Sequence, residues 1–404
     1  MIIGKGGFGK VWVVTLHNQK TYYALKEMSK ARILYKKSVS SVLNERNILA
    51  ECKSEFLINI KAAFQDRDNV FLLLDLLTGG DLRFHLCYCR KFSEEQTKTF
   101  AACIILGLRA IHEKGFVHRD IKPENIVFDE KGFLRITDFG IARKMNPDNA
   151  KETSGTPGYM APEVMCRMNH GFEVDFYALG IICYECMLGK RPYSGKSRKE
   201  IRDQILAKQV LIREEEVPSG WSEEAVAFIN GLIQRKPSRR LGVNGIGDLI
   251  DHPWFAGFDW KALEERRMTP VFTPNIQSVF EYLRSITEDD SDAEELAEQE
   301  LNVRRKSVQD LFQGYELAPE KSLESQPAPA KKSHSSSRQT YDTRNSRNES
   351  TRESWHTDRM RKTLSSSVAP KGLASIKPRI SQLPVSSHPS SRLDLRWRGS
   401  SPQF

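Results

Sequence analysis

The chain has 404 residues, 39% of them hydrophobic, which is enough for one large domain or two ordinary ones with tails. Its net charge of +9 comes from residues 319–404, with 16 Lys+Arg and 7 Asp+Glu, whereas residues 1–318 carry 45 of each sign. The neutral part gives no reason to expect a nucleic-acid-binding domain. No apolar run reaches the roughly 18 residues of a transmembrane helix, so none is expected.

The N-terminal segment predicts a hairpin around a glycine-rich turn. The apolar stretches Ile2-Ile3 and Lys10–Val14 flank Gly4-Lys5-Gly6-Gly7-Phe8-Gly9. A dinucleotide-binding loop would need a helix after its last glycine, and a plain tight turn would also use glycine. We expect a lid over phosphates, with backbone N–H groups as donors. Because Met1 falls almost on the loop, we expect the first strand to be truncated, as in a fragment or an incomplete gene model.

The next strand, Tyr23-Ala24-Leu25-Lys26, ends in a lysine that is costly to bury unless an acid meets it. The amphipathic helix predicted over Ser38–Ala50 supplies Glu45. The alternative to a contact with Lys26 is that Glu45 lies on a solvent-exposed face of the helix. We favour an ion pair between Lys26 and Glu45 that positions nucleotide phosphates.

Further along, Val70–Leu77 predicts an apolar strand and Glu94–Gly115 a core helix. The densest cluster of charge follows in His118-Arg119-Asp120-Ile121-Lys122-Pro123-Glu124-Asn125. Asp120 can accept a hydroxyl proton, Lys122 can follow a transferring phosphate and Asn125 can hold a metal ion.

Asp138 lies 18 residues after Asp120, beyond a strand at Ile126–Phe128 and a turn at Asp129–Gly132. This is hairpin distance, so both carboxylates can face one cleft. Their oxygens, with that of Asn125, suit Mg²⁺ that keeps waters and substrate phosphates as further ligands.

The seven cysteines all precede residue 187 and form no spaced disulfide framework. Cys183 and Cys186 lie in an apolar segment, Gly180–Leu188, that predicts a buried helix. Core thiols are therefore preferred over a redox or zinc pair. A reducing compartment fits this usage, and we expect a cytoplasmic location with the nucleus as a second one.

Together these motifs resemble protein kinases, and within them serine/threonine kinases of the AGC group, near the cyclic-AMP-dependent kinase and YANK branches. The resemblance extends to about Trp260. Besides the glycine loop, Lys26, Glu45 and the charged octapeptide, it rests on Asp138-Phe139-Gly140, Ser154–Met160, Ala161-Pro162-Glu163, Lys236–Gly242, His252–Phe255 and Pro270–Pro274.

The resemblance implies an α+β fold with a small antiparallel β lobe and one helix up to about Asp75, and a larger, mainly helical lobe up to about Phe258. It assigns residues 1–258 to the catalytic domain and residues 259–318 to an AGC-type C-terminal tail. Residues 319–404 are rich in Ser, Arg, Pro and Gln, which predicts a disordered basic tail. A phosphorylatable spacer is preferred there over a segment that binds acidic partners.

By the same resemblance, ATP lies between the lobes. Lys26, held by Glu45, orients its phosphates; Asp138 and Asn125 hold Mg²⁺; Asp120 takes the substrate proton; and Lys122 neutralises the γ-phosphate. Asp175 steadies the catalytic loop and Glu163 pairs with Arg240. The remaining expected nucleotide contacts are the glycine loop with Ile3, Lys10, Val11, Ala24, Glu124 and Val127, and the backbones of Asp75 and Leu77.

Two positions depart from the AGC pattern. Glu152 stands where the group usually has a phosphorylated threonine, facing Arg119 and Arg143; Thr153 is the competing phosphosite. The segment Phe312–Leu317 resembles the hydrophobic motif that docks on the small lobe, with Glu316 at the phosphosite. A short amphipathic segment without such a role is the alternative.

Asp81, Glu124 and Glu185 stand where basophilic AGC kinases meet arginine, which implies protein substrates with Arg before Ser or Thr. We expect a monomer without a specific nucleic-acid module. The alternatives are a pseudokinase-like scaffold and a binding protein driven by its tail. Retention of Lys26, Asp120 and Asp138 disfavours the scaffold.

Overall fold

The computed structural model describes residues 1–16, 20–287 and 303–318. The predicted basic tail, residues 319–404, lies outside the described residues. So does Glu288–Glu300, an acidic run that the sequence predicts to be a solvated linker.

The small lobe is built on one antiparallel sheet with the strand order β1-β2-β3-β5-β4. The second strand is partly buried along six of its seven residues, and the fifth strand is an apolar run with five consecutive buried residues, so the sheet packs against the core. In register, Lys26 pairs with Val11 on one side and with Leu72 on the other. The strands are β1 (Ile2–Gly6), β2 (Gly9–Thr15), β3 (Tyr22–Ser29), β4 (Ile60–Gln65) and β5 (Asn69–Asp75).

The small lobe contains two helices, α1 (Lys30–Tyr35) and α2 (Val39–Glu51), where the sequence analysis expected one. The first was missed because only six residues form it. The Ser29 hydroxyl caps α1 by accepting from the N–H of Arg32 at 3.4 Å. This short helix turns the chain from β3 toward α2.

The large lobe is mainly helical. Its longest helix, α4, begins with a capping box in which Ser93 and Gln96 satisfy each other's backbone N–H groups. The helices of the large lobe are α3 (Leu82–Cys89), α4 (Glu94–His112), α5 (Pro162–Met165), α6 (Glu173–Leu188), α7 (Arg198–Ala207), α8 (Glu223–Leu232), α9 (Gly247–Ile250) and α10 (Trp260–Glu264). Two further helices, α11 (Ile276–Thr287) and α12 (Lys306–Gln309), belong to the C-terminal tail.

Two short antiparallel ladders lie where the lobes meet and carry the charged loops. β6 (Phe116–Val117) pairs with β9 (Arg143–Lys144), and β7 (Ile126–Phe128) pairs with β8 (Leu134–Ile136). The octapeptide therefore lies between two strands, and a turn of 3₁₀ helix, Pro123–Asn125, leads into β7.

Helix α6 is buried along nearly its whole length and begins at Glu173, seven residues before the predicted Gly180. Cys183 and Cys186 are free, buried thiols within it. Burial raises the pKa of Cys183. The two residues are therefore packing residues, as the sequence indicated.

A fully buried ion pair holds α5 in place. Arg240 donates to both carboxylate oxygens of Glu163, at 2.6 and 2.9 Å. Neither side chain has measurable contact with water, so each charge depends on the other. Loss of either partner would leave an uncompensated buried charge, which costs about 3–5 kcal/mol.

The predicted α+β architecture with two lobes is confirmed. Within the described ranges, no helix is both long enough and apolar enough to cross a bilayer.

Candidate active site

An ion pair between Lys26 and Glu45 joins β3 to α2. The Lys26 Nζ lies 2.6 Å from the Glu45 Oε1. Glu45 shares the inward face of α2 with Val42, Ile48 and Leu49, so packing of these apolar side chains brings the carboxylate to the sheet. The pair thus couples the position of α2 to the strand that faces the cleft.

Asp138 lies just beyond β8 and is the third charge of this group. It has a φ of +61°, a left-handed conformation that β-strand pairing excludes, and this explains why β8 ends two residues earlier. The N–H of Gly140 donates to its Oδ1 at 3.2 Å.

The charges of Asp138 and Lys26 stabilise each other. Burial alone would raise the pKa of Asp138, but the Lys26 ammonium and the Gly140 N–H lower it below its ordinary value. Burial likewise opposes the charge of Lys26, while Glu45 and Asp138 raise its pKa. Near neutral pH the site therefore contains an ammonium and an ionised carboxylate side by side.

Asp120 is the centre of a second hydrogen-bonded group. Its Oδ2 accepts from the Lys122 Nζ at 2.6 Å and from the Asn125 Nδ2 at 3.1 Å. Its Oδ1 accepts from the backbone N–H of Thr156 at 3.0 Å and from its hydroxyl at 2.7 Å. The carboxylate is held by all three residues, as an aspartate that orients a substrate hydroxyl must be.

Thr156 also accepts from the Lys122 Nζ at 3.0 Å, so it bridges Asp120 and Lys122, two of the residues expected to be catalytic. Thr156 belongs to the segment Ser154–Met160, which resembles the AGC kinases, but no role for it was predicted from the sequence. Because it lies 36 residues after Asp120, only the tertiary fold reveals the contact.

Asp175, on α6, holds the backbone of the catalytic loop. Its carboxylate accepts from the backbone N–H groups of His118 and Arg119, both at 2.8 Å. His112 Nε2 lies 2.8 Å from the same carboxylate. Burial would raise the pKa of Asp175, but these contacts lower it, so the ionised form is preferred. The structure thus brings Asp175 to the position that the resemblance implies.

The predicted phosphate-binding residues follow the β1–β2 hairpin. Gly9 needs to be glycine, because an added Cβ would lie 1.9 Å from the carbonyl oxygen of Glu27 on β3. The Lys36 ammonium lies 5.5 Å from the centre of the Phe8 ring at the hairpin tip. In chain order these residues are Ile3, Gly4, Lys5 and Gly6 on β1, Gly7 and Phe8 at the turn, and Gly9, Lys10 and Val11 on β2.

The residues expected around an adenine base lie on adjacent strands. Ala24 pairs with Leu74 across β3 and β5. Asp75 ends β5, and its N–H donates to the carbonyl of Asn59 at 3.1 Å. Of the two backbone groups of Asp75, the carbonyl is therefore the one that an adenine could meet.

Leu77 lies beyond β5, which ends two residues earlier than the predicted strand. The chain leaves the sheet there because it pairs with β7 instead. The N–H of Gly79 donates to the carbonyl of Phe128 at 2.9 Å. This contact places the connection between the lobes beside Val127, which is on β7.

The described residues contain no group of three His, Cys, Asp or Glu side chains able to hold a metal ion. Asp138 and Asn125 nevertheless suit Mg²⁺, which commonly takes one or two protein oxygens together with phosphate and water. The amide nitrogen of Asn125 donates to the backbone carbonyl and to the Oδ2 of Asp120. Neither hydrogen bond engages the side-chain oxygen of Asn125.

Glu152 forms an ion pair with Arg119, the residue before Asp120. Arg143, expected beside it, instead donates to the Ser41 hydroxyl on α2 at 3.1 Å. The carboxylate therefore links the segment before α5 to the catalytic loop through a single arginine.

The three acids expected to meet substrate arginines are already engaged. Asp81 caps α3 by accepting from the N–H of Phe84 at 2.8 Å. Glu124 and Glu185 both bind Arg83, at 3.0 and 2.7 Å. Arg83 was not predicted as a site residue, although its position two residues after Asp81 is visible in the sequence.

Comparison with known proteins defines the class. The family model for the protein kinase domain matches residues 1–255, and the chain belongs to this family. A probable serine/threonine-protein kinase of Dictyostelium discoideum is 37% identical over 281 residues, which are 69% of this chain and 60% of that protein.

Two other relatives are of AGC type, so the resemblance drawn from the motifs is confirmed. The catalytic subunit of cAMP-dependent protein kinase from Dictyostelium discoideum is 36% identical over 68% of this chain and 42% of its own length. The serine/threonine-protein kinase sgk-1 of Caenorhabditis elegans is 36% identical over 74% of this chain and 65% of its own length. The chain spans less than two thirds of each of these relatives.

Removal of the Lys26 ammonium should raise the pKa of Asp138. In the wild-type protein this carboxylate should stay ionised as pH falls and take a proton only at its lowered pKa. In Lys26→Met, the ammonium that offsets the effect of burial on Asp138 is gone. Protonation of the Asp138 carboxylate should therefore begin at higher pH. A ¹³C NMR titration of the aspartate carboxyl carbons measures both values.

Lys122→Met is the matched comparison, because the Lys122 ammonium lowers the pKa of Asp138 less than Lys26 does. It should give the smaller rise. An unchanged pKa of Asp138 in Lys26→Met would contradict the electrostatic coupling of these two residues.

Proposed function

We propose that this chain transfers the γ-phosphoryl group of ATP, with Mg²⁺, to serine or threonine hydroxyls of proteins that carry arginine before the target residue. The observation that supports the proposal most directly is the joint presence of two groups in one lobe junction. One is the Lys26–Glu45 pair with Asp138, and the other is Asp120 with Lys122.

Each group has a separate task in this proposal. Bound Mg²⁺ and ATP supply the phosphoryl group and part of the counter-charge. Lys26 binds the α- and β-phosphates while Glu45 holds its ammonium in place, and Asp138 and Asn125 provide metal ligands. Most of the rate acceleration then comes from positioning and electrostatics.

Asp120 orients the substrate hydroxyl and accepts its proton. The contacts from Thr156 and Asn125 restrict the rotation of this carboxylate before any substrate binds. The Lys122 ammonium, 2.6 Å from Asp120, is placed to offset negative charge on the transferring group. These contacts lower the reorganisation that the reaction requires.

The preference for arginine is supported by the acids Glu124 and Glu185. Glu124 lies four residues after Asp120, so a cation bound there would be close to the reacting hydroxyl. Carboxylates form strong, charge-assisted hydrogen bonds with guanidinium groups. The monomeric state, and a cytoplasmic location with the nucleus as a second one, stay predictions.

Replacement of Asp120 by asparagine should abolish most phosphotransfer. Asparagine keeps the shape of the side chain but cannot take the hydroxyl proton, and a positioned base contributes about 10²–10⁴-fold to rate. The assay is phosphorylation of a peptide array with Mg-ATP, in which arginine is scanned through the positions before serine. Asp148→Asn, a change at an exposed aspartate, is the control and should match the wild type.

Peptides with arginine should be phosphorylated preferentially. Full activity of Asp120→Asn would instead contradict the assignment of the base. No phosphorylation by the wild type, with Mg-ATP bound normally, would favour the scaffold alternative.

We further propose that the C-terminal tail regulates the site through α2. Phe312 and Tyr315 are fully buried. The Arg46 side chain, next to Glu45 on α2, donates to the backbone carbonyls of Tyr315 at 2.9 Å and Glu316 at 2.6 Å. These hydrogen bonds attach the tail to α2, the helix that carries Glu45, the ion-pair partner of Lys26.

Two further contacts attach the tail to the small lobe. Leu317 exchanges backbone hydrogen bonds with Ala63 on β4. The Glu316 carboxylate accepts from the Gln65 Nε2 at 2.8 Å. Glu316 thus occupies the phosphosite position with a neutral donor as its partner, and the contact needs no phosphate.

The same part of the tail covers Lys30, a buried lysine at the start of α1. The Lys30 Nζ donates to the side-chain oxygen of Gln309 at 2.8 Å and lies 5.1 Å from the centre of the Phe312 ring. Burial lowers the pKa of Lys30 despite nearby acids. These contacts support a hydrophobic motif that docks on the small lobe with Glu316 in place of a regulatory phosphate. Glu152, paired with Arg119, would replace the phosphate of the segment before α5 in the same way.

Deletion of residues 301–317 should lower kcat by about tenfold or more, because α2 would lose contacts that hold Glu45 at Lys26. Buried aromatic rings such as Phe312 and Tyr315 each contribute on the order of 3 kcal/mol to packing. An added peptide of that sequence should restore activity. The measurement is initial rate against peptide concentration.

A peptide with Phe312→Ala and Tyr315→Ala is the control and should not restore activity. Full activity of the deleted protein would show that α2 keeps Glu45 at Lys26 without the tail, and would contradict the regulatory proposal.

A further inference from the structure

The guanidinium of Arg83 fills the space between two acids of the large lobe. Arg83 lies in the first turn of α3. Its Nε donates to Glu124 at 3.0 Å, and its Nη1 donates to Glu185 at 2.7 Å. Its Nη2 donates to the other Glu185 oxygen at 3.2 Å and to the Tyr159 hydroxyl. All three guanidinium nitrogens are therefore engaged.

This cluster lies next to the catalytic carboxylate. Glu124 belongs to the 3₁₀ turn that follows the catalytic loop. Tyr159, whose hydroxyl donates to Glu185 at 2.6 Å, lines the same small cavity as Asp120 and Thr156. A residue bound at these acids is thus close to the serine that Asp120 would orient.

Charge and burial differ between the two acids. The Glu185 side chain is 9% exposed and needs a cation, whereas Glu124 is 43% exposed. Burial opposes the charge of Arg83, but the hydrogen bond to Glu185 raises its pKa, so it remains a cation. The pair of acids with one arginine keeps a net charge of −1, enough to attract a second cation but not to bind it strongly.

We propose that Arg83 sets substrate specificity by competing with a substrate arginine for Glu124 and Glu185. The inference rests on the arginine preference proposed above. A substrate arginine must displace Arg83 or share its carboxylates. A substrate arginine therefore raises kcat/KM less in the wild-type protein than it would if Glu124 and Glu185 had no arginine partner. The wild-type preference for arginine is moderate for this reason.

A purely structural role predicts something different. If Arg83 only neutralises Glu185 for folding, its loss should weaken the phosphorylation of every substrate alike. If it competes with the substrate, its loss should favour arginine-containing substrates selectively. The ratio of two kcat/KM values separates these effects, because a general loss of active protein cancels in it.

The experiment compares two peptides that differ only in having arginine or alanine two and three residues before the serine. The full chain and its Arg83→Met, Arg83→Gln and Arg83→Lys variants are assayed with Mg-ATP. In Arg83→Met and Arg83→Gln, the arginine-to-alanine ratio of kcat/KM should rise about tenfold, the effect of one charge-assisted hydrogen bond. The rise should come from a lower KM for the arginine peptide.

Arg83→Lys restores a cation and should return the ratio close to that of the wild type. Arg213→Met is the matched control, since Arg213 forms an exposed pair with Glu215 elsewhere in the same lobe. It should leave the ratio unchanged. Arg83→Gln keeps a hydrogen-bond donor beside Glu185, which provides a second test if the methionine variant folds poorly.

The outcomes separate the two proposals. A wild type that strongly prefers the arginine peptide, with the same ratio in both neutral variants, would overturn the role of Arg83 and leave the proposed function intact. Equal use of both peptides by every variant would overturn the arginine preference and the inference with it.

Discussion

The ion pair of Lys26, a partly buried lysine in the sheet of the small lobe, is the interaction on which the rest of the structure depends. Lys26 lies within a five-stranded sheet, with neighbouring strands on both sides, where an unpaired ammonium would be costly. Glu45 satisfies it across 2.6 Å, and Asp138 adds a second negative charge from the other lobe. These two charge interactions hold α2 against the sheet and Asp138, just beyond β8, close to Lys26.

Because the ion pair depends on the position of α2, segments far from the cleft can affect Lys26. Arg46 is next to Glu45 on α2, and it binds three consecutive tail carbonyls, those of residues 314–316. Movement of the tail would therefore shift α2, and with it the Glu45 carboxylate that pairs with Lys26. On the large lobe, Asp175 and Thr156 perform a comparable task for Asp120, since they hold the loop backbone and the carboxylate respectively.

The sequence was informative wherever chemistry and local pattern coincided. The charged octapeptide, the lysine of β3 and the buried thiols of α6 could each be interpreted from neighbouring residues alone. Helix α1 could not, because its six residues are too few for a periodic signal. Thr156 and Arg83 were also missed, since their partners are 36 and 102 residues away and the contacts exist only after folding. Strand β5 ended two residues before its predicted end at Leu77, because the chain there pairs with β7 instead of continuing in the sheet.

The most direct test of the account is the affinity for Mg-ATP, measured by isothermal titration calorimetry on the wild type, Lys26→Met and Asp138→Asn. Each change removes a charge that the nucleotide phosphates or the metal would contact, so each should weaken binding by about tenfold or more. Asp148→Asn, at an exposed position, should bind as the wild type does. An Mg-ATP affinity that is the same in all four proteins would contradict the claim that Lys26 and Asp138 converge on a nucleotide.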